Sequence, residues 1–111
     1  MLEMINVVVR PAGPGSCRVT VAGDLDVETA PEVRDALHGA LAAYRNVTVD
    51  LSALRFCDCA GLSALLSAAR TARADDADLT LSAVPDFLAR LLRLSHSDEA
   101  FTCREEALGD G

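Results

Sequence analysis

Four short stretches of the chain alternate apolar with polar residues, and three longer ones repeat apolar residues every third or fourth position. In the first stretch Ile5, Val7 and Val9 share one face, with Asn6, Val8 and Arg10 on the other. In the second, Cys17, Val19 and Val21 alternate with Arg18, Thr20 and Ala22. A period of two belongs to a strand with one face against a core. Pro11-Ala12-Gly13-Pro14-Gly15 breaks the chain between them, and so short a connection predicts an antiparallel pair. Val47, Val49 and Leu51 against Thr48 and Asp50 predict a third strand, and Leu79, Leu81 and Ala83 against Thr80 and Ser82 a fourth.

The helical period appears between these strands. Val33, Ala36, Leu37, Ala40, Leu41 and Tyr44 make one apolar stripe, with Pro31 in the first turn and Thr29 and Glu32 at capping-box spacing. A second helix is predicted to start near Asp58, a good N-cap residue, and to bury Leu62, Leu65, Leu66 and Ala69. That leaves Ala60, Ser63, Ala64 and Ser67, all small, on its exposed face. Pro85 opens a third helix, Asp86 to about Leu94, apolar on more than one face through Phe87, Leu88, Leu91, Leu92 and Leu94. Deep packing explains that excess, and so does self-association through the helix from Phe87 to Leu94. Residues 100–103 suggest a short edge strand, and residues 104–108 a last helical turn before a frayed end.

The predicted order is ββαβαβα. Helices linking successive strands imply parallel crossovers, and strands that alternate this cleanly have helices on one face. The expectation is an α/β fold: a single two-layer sandwich, one domain over residues 1–111, with a mixed sheet of four to five strands. At 111 residues there is room for one core.

Charge and composition narrow the function. The net charge is −7 and all ten basic residues are scattered arginines, which argues against nucleic acid. No apolar run approaches transmembrane length and no signal-peptide pattern opens the chain, so a cytoplasmic domain away from the membrane is expected. Cys17, Cys57, Cys59 and Cys103 are read as reduced. Cys57-Asp58-Cys59 lacks the spacing of a redox or zinc motif, although a thiol at a helix N-terminus allows a redox sensor through Cys59. His38 and His96 stand far apart, His38 beside the first helix's stripe and His96 after the third helix. Asp24, Asp26 and Asp50 do not assemble a metal site. With no catalytic constellation and no phosphate-binding glycine loop, the chain reads as a binding module without cofactor or metal, not an enzyme.

The most informative stretch is VTVDLSALRFCDCAGLSALL, residues 47–66. It resembles the signature of STAS domains, the family of anti-sigma factor antagonists: an apolar strand ending in Asp-Leu, a short loop with Phe, then Asp-Ser-Ser/Thr-Gly-Leu opening a helix. Val21-Ala22-Gly23-Asp24-Leu25-Asp26, followed by Thr29-Ala30, resembles the family's Gly-Glu/Asp-Leu-Asp segment.

The resemblance implies binding to an anti-sigma factor, a kinase of the histidine-kinase-like ATPase fold, which frees a sigma factor to regulate transcription. It also implies that the kinase ends the interaction by phosphorylating a hydroxyl in the Asp-Ser-Ser/Thr-Gly segment. Here those two positions are Cys59 and Ala60, so the standard acceptor is absent; Ser63 is the nearest hydroxyl. The expected docking surface is Asp24 and Asp26 with Asp58, Cys59, Ala60, Gly61, Ser63 and Ser67: Asp58 caps the helix, Gly61 admits close approach, and Cys59, Ala60 and Ser63 form the floor. An alternative from the same fold is a STAS subunit of a sensory or lipid-transport assembly.

Overall fold

The computed structural model of the chain describes residues 5–97 and 101–104. Strands β1 (Ile5–Pro11), β2 (Ser16–Leu25), β3 (Asn46–Asp50), β4 (Leu54–Cys57), β5 (Asp78–Ser82) and β6 (Thr102–Arg104) join helices α1 (Ala30–Ala43), α2 (Cys59–Ala74) and α3 (Asp86–Leu94). The order is the one read from the sequence, with β4 inserted where a loop was expected and β6 close to the expected edge strand. Of the helical turn expected over residues 104–108, Arg104 ends β6, and the remainder lies outside the described residues.

The strands form one mixed sheet in the order β1-β2-β3-β5-β6, with β4 pairing the far end of β2. β1 and β2 are antiparallel, as the short connection requires, and the remaining pairs are parallel. Register sets the two faces: Cys17 lies beside Val47 and Leu79, and Val19 beside Val49 and Leu81. All six are buried and belong to one core with Val33, Leu37, Leu65, Leu88 and Leu92. α1 packs on β1, β2 and β3, and α2 on β4 and β5, so the alternating apolar positions meet the helices.

The opposite sheet face carries Arg18, Thr20, Thr48, Asp50 and Thr80, all partly exposed. Arg18 donates to Asp50 at 3.3 Å and, at 3.5 Å, to the hydroxyl of Ser82, which is fully buried. Burial alone would raise the Asp50 carboxyl; hydrogen bonds from the Ser52 N–H and hydroxyl and the Arg18 charge outweigh it and hold it below the usual carboxylate value.

α2 buries a wider arc than its leucine stripe predicts. Gly61, Ala64, Ala68 and Ala72 are inside along with Leu62, Leu65 and Ala69, whereas Leu66 is half-buried. Ala64, expected on the exposed face, is 5% exposed. The cause is α1, which lies along α2, so α2 is covered by the sheet on one side and by a helix on the other. Small side chains let the two helix backbones come close.

Candidate functional site

β2 changes partner part-way along. Its residues 16–20 pair with β3, whereas Gly23, Asp24 and Leu25 lie beside Leu54, Phe56 and Cys57 of β4, with a register shift between Gly23 and Asp24. Gly23 has φ of 111°, a conformation that an L side chain rarely adopts, and the resulting bulge swings the strand to its new neighbour. The Gly23 N–H donates to the Ala53 carbonyl at 3.0 Å, and the Asp58 N–H to the Leu25 carbonyl at 3.2 Å. Two loops distant in sequence, the one after β2 and the one before α2, thereby become neighbours at the carboxyl end of the sheet.

The first loop is held by its own side chains. Asp26 Oδ1 accepts from the N–H groups of Glu28 at 3.0 Å and Thr29 at 3.1 Å. Thr29 Oγ1 donates to the Asp24 carbonyl at 2.8 Å and accepts from the Asp26 N–H at 2.9 Å. The expected capping box therefore does not form: the Thr29 hydroxyl faces backward into the loop and makes no side-chain cap for α1. An Asx turn at Asp26 leads into the helix instead. Asp24 pairs with Arg55 of β4 at 3.6 Å; with Arg55 72% exposed, this pair orients the loops more than it stabilises them.

The second loop opens α2 as expected. Asp58 is the N-cap, its Oδ1 accepting from the Gly61 N–H at 3.0 Å. Cys59 follows, exposed, then Ala60, half-buried, and Ser63, exposed. Gly61 differs from expectation. It is buried, and the close approach it permits is to Leu25 and Cys57 of its own chain rather than to a partner. Cys57 is buried beside it. Desolvation first, then the charge of Asp58 and the neighbouring Cys59, push its thiol up to about 12, so it stays protonated. Cys17, Cys57 and Cys59 are free thiols.

Between the start of α1 and the first turns of α2 lies a shallow cleft of about 390 Å³, lined by Val27, Pro31 and Arg34 on one side and Ala60, Ser63 and Ala64 on the other. Val27, on the cleft, is 69% exposed, and Phe56, beside Asp24 in the β2–β4 pairing, is 48% exposed, both large apolar side chains in water. Sequence reading missed both as surface features; the one available signal was an apolar residue between two acids at Asp26-Val27-Glu28. Ser67, at the far end of the cleft, is half-buried and lies 3.2 Å from His38 Nε2, which also lies 3.5 Å from the Thr71 hydroxyl. His38 thus joins α1 to α2, and Ser67 is engaged within the chain.

The family model described as "Mlab, STAS domain" matches residues 9–103, nearly the whole chain. The chain belongs to the STAS domain family. Among solved structures, this STAS domain is similar to an anti-sigma factor antagonist from Mycobacterium paratuberculosis, at 27% identity and a TM-score of 0.77 over 96% of this chain and 89% of that one. A putative anti-sigma factor antagonist from Thermotoga maritima shares the fold at 15% identity and a TM-score of 0.74, covering 97% of this chain and 94% of that one. So does the phosphorylated form of the Bacillus cell fate determinant SpoIIAA, at 15% identity and a TM-score of 0.72, covering 92% of this chain and 94% of that one.

In this STAS domain the two motifs that carried the sequence resemblance meet on one surface. The β2–β4 pairing brings Asp24 next to the strand that leads into Asp58 and Cys59; Ala60, Ser63 and Ser67 line the cleft; and Gly61 is buried against Leu25 and Cys57. Among the described residues, no three acidic, thiol or imidazole groups are placed to hold a metal ion, and no helix is long and apolar enough to cross a membrane.

Proposed function

We propose that this STAS domain is an anti-sigma factor antagonist that works by binding rather than turnover. Its docking surface is the loop after β2 together with the opening of α2, and its partner is an anti-sigma factor of the histidine-kinase-like ATPase fold, whose capture releases a sigma factor in the cytoplasm. The observation that carries this reading is the β2–β4 pairing, which brings the loop after β2 beside the chain that opens α2, next to a cleft lined by exposed Val27 and by small residues of α2. A small-residue floor permits close backbone approach, and exposed Val27 supplies apolar area to bury.

Control by phosphorylation at the start of α2 is lost in this reading, because Cys59 and Ala60 hold the acceptor positions. The domain stays competent for its partner unless Ser63 substitutes. Two experiments test the proposal. A pull-down from the native cytosol is expected to recover a kinase-like ATPase; recovery of membrane transport components in its place decides for a subunit of a larger assembly. Incubating the domain with that kinase and ATP should leave its intact mass unchanged, and a phosphate retained on Ser63 would overturn the constitutive reading.

A further inference from the structure

β1 is an outer edge of the sheet, and its free side carries backbone groups that the fold does not use. The Ala12 N–H donates to the Ser16 carbonyl at 2.9 Å, so Ala12 and Ser16 extend the β1–β2 register by one bonded pair. An antiparallel strand bonds to a given neighbour at every second residue. Asn6, Val8 and Arg10 therefore bond to β2, and the N–H and C=O groups of Ile5, Val7 and Val9 point away from it. The Gly15 carbonyl agrees with this phase, because it turns to the other side and accepts from the Arg45 and Asn46 N–H groups at 2.9 Å each. No described residue bonds to the outward groups of Val7 and Val9. Val7 is half-buried, and Val9 is 43% exposed. Charge or proline commonly guards such an edge. Here Arg10 and Pro11 stand at one end, and Val7-Val8-Val9 is unguarded.

An open edge of this kind accepts an extended strand, and β1 is its own complement. We propose that two copies of this chain pair β1 with β1, antiparallel, about a two-fold axis at Val8. In that register Val7 lies opposite Val9 of the second copy, and the two exchange both of their outward backbone bonds. Val8 faces Val8, and Arg10 faces Asn6 rather than a second arginine. Valine pairs are favourable across antiparallel strands. A register displaced by one residue fails, because it sets Val7 against Val8, whose backbone is already bonded to β2. The other described edge, β6, spans Thr102–Arg104 and is too short to match β1. The contact therefore joins like with like and is isologous. Directly opposed residues share a face of the sheet, so one sheet runs through both copies with the helices of both on the same side. No residue of β1 lines the cleft, so the pairing stands apart from the docking reading above.

Sedimentation equilibrium across a concentration series tests the contact on the intact chain. The weight-average mass should rise with concentration toward that of a dimer. Amide exchange followed by nuclear magnetic resonance over the same series reads the register. The Val7 and Val9 amides should exchange fast in dilute solution and slow about ten-fold or more as the dimer fills, whereas the Val8 and Arg10 amides stay protected throughout. Val8→Lys and Val8→Glu, each checked by circular dichroism, set like charges face to face at the axis and should each associate about ten-fold more weakly. An equimolar mixture of the two should regain association, since opposite charges then meet. A wild type that stays monomeric, a charge variant that associates like wild type, or a mixture that fails to recover would each overturn the proposal. So would Val7 and Val9 amides that gain protection only when another protein is added, which would give the edge to a strand of that protein. The pull-down reads the anti-sigma docking separately.

Discussion

A methyl group placed on Gly61 would stand 2.6 Å from Leu25 Cγ and 2.7 Å from the Leu25 carbonyl oxygen. The oxygen is fixed, because it also accepts the Asp58 N–H. Helix α2 therefore starts where it does because residue 61 has no side chain. In an ordinary helix, Gly→Ala gains about 1 kcal/mol. Here the overpacking of about 1–3 kcal/mol wins, and Gly61→Ala should lower the urea midpoint with an unchanged slope.

Asp58 caps the same helix through a bond to the Gly61 N–H. Asp58→Ala should destabilise the domain by about 1 kcal/mol, while Asp58→Asn, which keeps the accepting oxygen, should lie within a few tenths of wild type. Denaturant titration of the three proteins side by side reads the difference.

Asp50 makes stability depend on pH in the acid range. Its carboxyl lies below the ordinary value in the folded chain, so the folded state favours the ionised form. The stabilisation is present above the unfolded value of 3.8 and is lost as pH falls through the lower folded value. Asp50→Asn should flatten the acid limb of a stability-against-pH curve while leaving its shape near neutrality.

Cys57 acts at the other end of the scale. Its thiol is raised from 9.0 to about 12, so the folded chain prefers it protonated. That stability is intact below pH 9.0 and disappears as pH climbs toward 12. Alkylation of the native protein followed by peptide mapping should label exposed Cys59 ahead of buried Cys57 and Cys17. Early labelling of Cys57 would contradict its burial. Comparing partner affinity in reductant and in peroxide, with Cys59→Ser as control, tests whether Cys59 senses oxidants.

The docking surface predicts separable mutants. Val27→Asp places a charge on the rim of the cleft and Ser63→Arg fills its floor. Both positions are exposed, so unfolding midpoints should move by no more than about 0.5 kcal/mol. Recovery of the partner in a pull-down should fall sharply for both. Thr48→Arg, on the opposite sheet face, should leave it unchanged.

The caps show where local pattern misleads. Thr29 and Glu32 have the spacing of a capping box, yet the Thr29 hydroxyl bonds to Asp24 and Asp26 instead. Asp26 takes over by accepting two backbone N–H groups. Asp26→Ala should accordingly cost about 1 kcal/mol and Glu32→Ala only a few tenths. A short motif specifies which bonds are possible, and the neighbouring acid decides which one forms.

Alternation and helical stripes determined the order of the elements other than β4, the one-sided sheet and most of the buried leucines, and the residue type at Asp58 its cap, because each depends on residues within a few positions of one another. The docking surface needed tertiary structure. Leu54–Cys57 has no alternation to mark a strand, and it becomes one because β2 bulges at Gly23 and offers it an edge about thirty residues away in sequence. Ala64 and Gly61 look like surface positions from their own helix and are buried because α1 and Leu25 lie over them. Periodicity reports a residue's side of its own element. What covers that side is set by the other elements.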